Sequence, residues 1–251
     1  MGAHGSGRDA ALGAVLTDRP AAAERDAPGA FYGRRKGKRL RTSQDELLRT
    51  LLPRLRVDPR DPLASFPHPS ASLRLEIGFG GGEHLAAQAR AHPEIAFIGC
   101  EPFVNGVAKL LAVIAREQLA NIRIWDADAT ELIGALPPRS LAGVSLLYPD
   151  PWPKRRHRKR RFLSDRALAA LARVMTPGSE LRFATDIDDY AGWALARVLR
   201  SSAFQWTAER PDDWRRPWPD WPGTRYEAKA ARDERKAVYL TFERLPDRDP
   251  P

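Results

Sequence analysis

The chain has 251 residues, 43% hydrophobic and 29% charged, which suits one α/β domain with extensions and a real core. Its 41 Lys and Arg against 32 Asp and Glu give a net charge of +9, a field that favours an anionic partner, nucleic acid ahead of an anionic membrane. The single cysteine, Cys100, excludes an intrachain disulfide framework, and no apolar run approaches the ~20 residues of a membrane-crossing helix.

Residues 1–30 are rich in Ala, Gly, Asp and Arg without sustained periodicity and read as a disordered tail. Gly2 and Ser6 fit a myristoylation pattern that six small residues match readily by chance. No charged-then-apolar signal pattern opens the chain, so a cytoplasmic location is expected. A basic extension follows over residues 31–70, with Arg34, Arg35, Lys36, Lys38, Arg39 and Arg41. Within it, Thr42 or Ser43 is placed to cap a short helix whose apolar face is Leu47, Leu48, Leu51, Leu52 and Leu55. A linker with Pro59, Pro62, Pro67 and Pro69 closes the extension.

The pattern changes near Leu73, and residues 71–246 read as one catalytic-size domain. Short apolar strands alternate with helical stretches: LRLEI, then a helix from Gly82; EIAFIGC, then a helix from Phe103; NIRIW and a short helix. SLAGVSLLY leads through a basic loop to a helix from Ser164, and SELRFATD to a helix from Ile187. FQWTAE, a Trp/Pro loop, a helix from Thr224 and the strand AVYLTFERL end the domain. Strands alternating with helices predict a parallel sheet covered on both faces.

The first strand runs into Gly78-Phe79-Gly80-Gly81-Gly82-Glu83. Glycines let the backbone turn sharply beside a ligand at the carboxyl ends of the strands. A dinucleotide fingerprint would need glycine where Glu83 stands, and a carboxylate there repels a pyrophosphate. Glu76, two residues before Gly78, can pair with an ammonium group. Glu101 ends the second strand, where a carboxylate accepts from a ribose diol. Asp128 follows the third strand, where a carboxylate can accept from an adenine amino group; Asp126 is a weaker candidate. These features point to S-adenosylmethionine as cofactor.

The fourth strand enters Tyr148-Pro149-Asp150-Pro151-Trp152-Pro153-Lys154. Two prolines hold Asp150 extended at the sheet edge, where a methyl acceptor would lie. Seven of the eight residues from Lys154 to Arg161 are Lys or Arg, and they are expected to meet phosphates. His157 has no Cys or second His at ligand spacing, so no metal is expected. Trp214, Trp218 and Trp221 could stack on an exposed base or pack their loop onto the core.

Together GRRKGKRLR, LEIGFGGGEHL, NIRIWDADA, YPDPWPKRRHRKRRF, LRFATDIDDYA and TRYE closely resemble the tRNA (guanine-N7-)-methyltransferase family in its bacterial single-chain form, over roughly Phe31 to Leu245. The resemblance implies a Rossmann-like class I S-adenosylmethionine-dependent methyltransferase fold, with a mostly parallel seven-stranded sheet and helices on both faces. It implies methylation of guanine N7 in the tRNA variable loop, tRNA as partner, and a monomer or homodimer with no obligatory second subunit. It places Glu76, Gly78, Gly80, Glu101, Asp128 and Asp150 at the cofactor, with Asp150 also catalytic. Lys154, Asp186, Thr224, Arg225, Tyr226 and Glu227 would contact substrate, and Arg156, Arg158, Lys159, Arg160 and Arg161 would lie along RNA. Pro153 stands where the family often has His, and Arg225 and Tyr226 where it has Lys and Phe. The rival readings are a nicotinamide-dependent oxidoreductase, a non-catalytic RNA-binding protein on the same fold, and a methyltransferase for another RNA or a protein amino group.

Overall fold

A computed structural model describes Gly33, residues 35–67 and residues 72–247. The tail over residues 1–30 and Pro69 of the linker lie outside the described residues. The basic extension leads into α1 (Thr42–Thr50) and α2 (Leu52–Leu55). One helix was expected here. Pro53 sits in the first turn of α2 and has no N–H to continue the ladder of α1, so the apolar face is split in two. The cap also falls one residue earlier than expected, at Arg41, whose backbone N–H donates to Gln44 Oε1 at 3.2 Å.

From Ser72 the alternation is as the sequence predicts: β1 (Ser72–Ile77), α3 (Glu83–Ala91), β2 (Ile95–Cys100), α4 (Val104–Glu117), β3 (Ile122–Trp125) and α5 (Ala129–Ala135). Then come β4 (Leu141–Leu147), α6 (Asp165–Val174), β5 (Met175–Thr185), α7 (Asp188–Val198) and β6 (Phe204–Trp206), with α8 (Asp212–Arg215), α9 (Arg225–Arg232) and β7 (Val238–Arg244) last. Ser164 and Thr224 are the caps of α6 and α9, their side chains accepting from Ala167 N and Glu227 N.

The strand order is β3-β2-β1-β4-β5-β7-β6; the first five strands are parallel, and β7 runs antiparallel to β5 and β6. This is a Rossmann-like sheet. Side-chain alternation assigns each face a partner. Leu75, Ile77, Leu146 and Phe183 pack with Leu132 of α5, Leu171 of α6 and Tyr190 of α7. On the other face Phe97, Ile122 and Ile124 pack with Leu85 of α3, Leu110 and Ile114 of α4 and Leu55 of α2. All six residues of β2 are buried, as an inner parallel strand requires. Successive strands leave β1 in opposite directions, to β2 on one side and β4 on the other. A crevice opens at such a switch point, and the Gly78–Gly82 and Tyr148–Arg161 loops both start there.

Candidate active site

The glycine loop turns on three left-handed residues, Gly78 (φ 72°), Gly80 (φ 57°) and Gly82 (φ 80°). Gly78 N–H donates to Cys100 O at 2.7 Å, pinning the loop to the end of β2. A side chain at Gly78 would meet nothing within 4 Å, so this face of the loop is open. On its other side the loop lies against α4, where a Cβ on Gly106 would come 2.1 Å from Gly80 O. Only glycine at Gly106 allows that approach.

The acidic candidates are held by this frame. Glu76 is buried, and its Oε2 lies 2.6 Å from His84 Nδ1. Glu101 is buried too; its Oε2 accepts from Gly80 N–H at 2.8 Å and its Oε1 from Phe103 N–H at 2.9 Å. Burial pushes the Glu101 carboxyl above its ordinary pKa, against those two hydrogen bonds and the nearby Arg225 charge. Asp128 caps α5, with Oδ1 accepting from Thr130 N–H at 2.7 Å and from its hydroxyl at 2.6 Å. Its Oδ2 stays free among the described residues. Asp126, the weaker candidate, is consumed by a two-point ion pair with Arg56 at 3.0 and 2.8 Å.

Across the crevice the acceptor loop is strained. Tyr148 (φ 49°) and Trp152 (φ 43°) are left-handed without being glycine, and they flank Pro149-Asp150-Pro151 on both sides. Tyr148 N–H donates to Ala184 O at 2.8 Å, fixing the loop to the end of β5. No hydrogen bond or ion pair holds the Asp150 carboxylate among the described residues. The residue is open to solvent, yet the protein around it raises its pKa through desolvation.

The start of α9 joins the two loops. Tyr226 stacks on Tyr148 with ring centroids 6.4 Å apart, and Arg225 Nη2 lies within 3.0 Å of where a Gly80 side chain would begin. Arg225 also reaches Glu83 at 3.9 Å. Thr224 Oγ1 accepts from Glu227 N–H at 3.1 Å, and the Glu227 carboxylate accepts from Trp221 Nε1 at 2.6 Å and from the Tyr239 hydroxyl. Asp186 pairs with Arg235 at 2.6 Å. The tryptophans pack their loop onto the domain: Trp218 donates to Thr241 Oγ1 at 2.9 Å, and Trp218 and Trp221 meet Tyr239 edge to face. Trp214 packs against the main core.

The basic run forms a 3₁₀ turn over Arg155–Arg160. Lys154, Arg155, Arg156 and Lys159 are exposed. Arg161 corrects its expected place along RNA. Its side chain is fully buried, donating from Nε to Pro151 O at 2.8 Å and pairing with Asp189. It anchors the acceptor loop from beneath, and Arg158 joins the same Asp189 at 2.7 Å. A cavity of about 470 Å³ opens beside the turn, lined by Arg155, Arg158, Lys159, Asp165, Trp193 and Arg197. Sequence reasoning missed Trp193 and Arg197, which lie on α7 far along the chain, and it missed His84. Among the described residues no cluster of His, Cys, Asp or Glu has the makings of a metal site, and no helix is long and apolar enough to cross a membrane.

The glycine frame brings together an open loop face at Gly78, a carboxylate at Glu101 fixed by two backbone N–H groups, a free oxygen on Asp128 and a buried acid at Glu76. Comparisons with known proteins identify the family. A family model described as "Putative methyltransferase" matches residues 70–240. The tRNA (guanine-N(7)-)-methyltransferase of Nitrobacter hamburgensis is 53% identical over 224 residues, 87% of this chain and 88% of its own length. That of Agrobacterium fabrum is 53% identical over 221 residues, 86% of this chain and 95% of its own. Among solved structures, 16S rRNA methyltransferase KamB superposes with a TM-score of 0.52 at 18% identity, covering 83% of this chain and 96% of that one. The likeness at this identity extends to the fold alone.

Proposed function

We propose that this chain, which belongs to the tRNA (guanine-N(7)-)-methyltransferase family, transfers a methyl group from S-adenosylmethionine to N7 of a guanine in the variable loop of tRNA. The observation that carries the reading is the position of Asp150, unpaired in a doubly strained loop that starts at the switch-point crevice at the end of β4.

When bound there, S-adenosylmethionine supplies an electrophilic methyl group. The open face at Gly78 would admit it, Glu101 would receive its ribose hydroxyls, Asp128 Oδ2 its adenine amino group and Glu76 its ammonium. Guanine N7 carries an in-plane lone pair and no proton, so no base is needed to expose the nucleophile. The N7–carbon bond forms as the carbon–sulfur bond breaks, with the electron pair leaving on sulfur, and the purine gains positive charge. The chain's task is alignment, which can supply about 7–11 kcal/mol in favourable cases, and charge stabilisation. Asp150 serves both: ionised, it offsets the growing charge and accepts hydrogen bonds from the guanine N1–H and amino group. Asp186, beside Arg235, offers a second carboxylate.

Thr224, Arg225, Tyr226 and Glu227 line the guanine's side of the crevice, while Lys154, Arg156, Arg158, Lys159 and Arg160 follow the RNA backbone. The chain acts in the cytoplasm as a monomer or homodimer, without a second type of subunit. The test is to incubate the protein with labelled S-adenosylmethionine and an unmodified tRNA transcript and to map the product. The expected product is 7-methylguanosine in the variable loop. Methylation at another atom, or none where S-adenosylhomocysteine binds, contradicts the reading.

A further inference from the structure

We propose that His84 is a positioning residue: it fixes the Glu76 carboxylate so that one oxygen faces the amino-acid end of the cofactor. The inference rests on the reading that this crevice takes S-adenosylmethionine. Glu76 lies near the end of β1 and His84 in the first turn of α3, eight residues apart across the glycine loop. Both side chains are nearly inaccessible, at 6% and 7% exposure, and His84 Nδ1 lies 2.6 Å from Glu76 Oε2.

A buried carboxylate needs partners, and a lone histidine satisfies only part of its capacity. Glu76 Oε1 accepts no bond among the described residues. Beside the pair, a cavity of about 260 Å³ runs along β1, β4 and β5 past Arg74, Gly143, Ser145, Glu180 and Arg182. The pair therefore leaves one oxygen of a buried carboxylate, at the end of β1, for a cation. With Oε2 held by the imidazole, the carboxylate cannot rotate that oxygen away.

His84 is itself held. The Trp221 ring lies against it at 5.2 Å, tilted by 39°. Trp221 is tied by its indole N–H to Glu227 at 2.6 Å, and the preceding Asp220 accepts through its backbone oxygen from Gln88 Nε2, on the next turn of α3, at 3.1 Å. The Trp loop thus grips α3 at two points and leaves His84 little freedom.

The test compares two ligands by calorimetry. S-adenosylhomocysteine carries the amino-acid end; 5′-methylthioadenosine keeps the adenosine and lacks it. His84→Leu should lose about tenfold in affinity for S-adenosylhomocysteine, about 1.4 kcal/mol, with methylthioadenosine changed by less than about twofold. His84→Ala, which has no group to reach Glu76, carries the same test if the Leu variant folds poorly. His84→Asn, whose Nδ2 stands close to the place of the imidazole Nδ1, should restore most of the difference. Equal losses for both ligands would mean a merely structural histidine and overturn the proposal, as would unchanged affinity for S-adenosylhomocysteine. If the wild-type protein binds S-adenosylhomocysteine no better than methylthioadenosine, the proposal fails while the cofactor reading stands. If it binds neither, the cofactor reading itself fails.

Discussion

The two loops at the switch point are built on opposite principles. The Gly78–Gly82 loop is saturated: its turns fall on glycines, its N–H groups reach Cys100 and Glu101, and its acids are buried and bonded. The Tyr148–Arg161 loop places bulky residues at positive φ and leaves its one acid unpaired and raised in pKa. A saturated loop recognises a ligand whose shape is constant. A strained loop with an unsatisfied carboxylate reserves its interactions for a group that gains charge only during reaction, which is where electrostatic stabilisation accelerates chemistry.

That contrast predicts where damage will fall. Asp150→Asn should cut kcat about 10²–10³-fold while the affinity for S-adenosylhomocysteine stays within about threefold, measured by single-turnover kinetics and calorimetry. Because the ionised form is the useful one and desolvation by the surrounding protein raises its pKa, wild-type kcat should rise with pH through a step above the ordinary Asp value. The Asn variant should lack that step. Near-normal turnover by Asp150→Asn would erase the contrast.

Arg161→Met tests what supports the strain. It removes the bonds to Pro151 O and Asp189 from a buried position. The expected loss is about 2–3 kcal/mol of stability, read by urea denaturation, together with reduced kcat and little change in cofactor affinity. Gly106→Ala probes the saturated side. Its Cβ would press on Gly80 O, so the loop must shift, and affinity for S-adenosylhomocysteine should fall about tenfold. The smallest effect is expected of Arg156→Ala, since the residue is exposed. It should weaken tRNA binding modestly and flatten the log–log salt slope by about 0.7–0.9, one phosphate contact. An unchanged slope would remove Arg156 from the RNA surface.

The parallel sheet was legible because period and punctuation agree: apolar runs such as IAFIGC, each followed by a helical stretch, admit few other folds. The caps at Ser164 and Thr224 were legible for the same local reason. The break at Pro53 was overlooked because the leucine face continues across it. The positions of Glu76, Glu101, Asp128 and Asp150 beside strand ends were legible from the strand pattern. The fate of Arg161 was not, since the seven Lys and Arg of the run look alike until one is buried against Asp189, a residue of α7. His84 was hidden because its partner is set by the fold of the glycine turn rather than by helical spacing.

The most direct test of the account is atomic replacement at the acceptor. A tRNA carrying 7-deazaguanine at the variable-loop guanine keeps the Watson–Crick edge but has C–H where N7 was. The account predicts that this tRNA binds, competes with normal tRNA and takes up no labelled methyl group there. Methyl incorporation into the deaza base at the normal rate would contradict it.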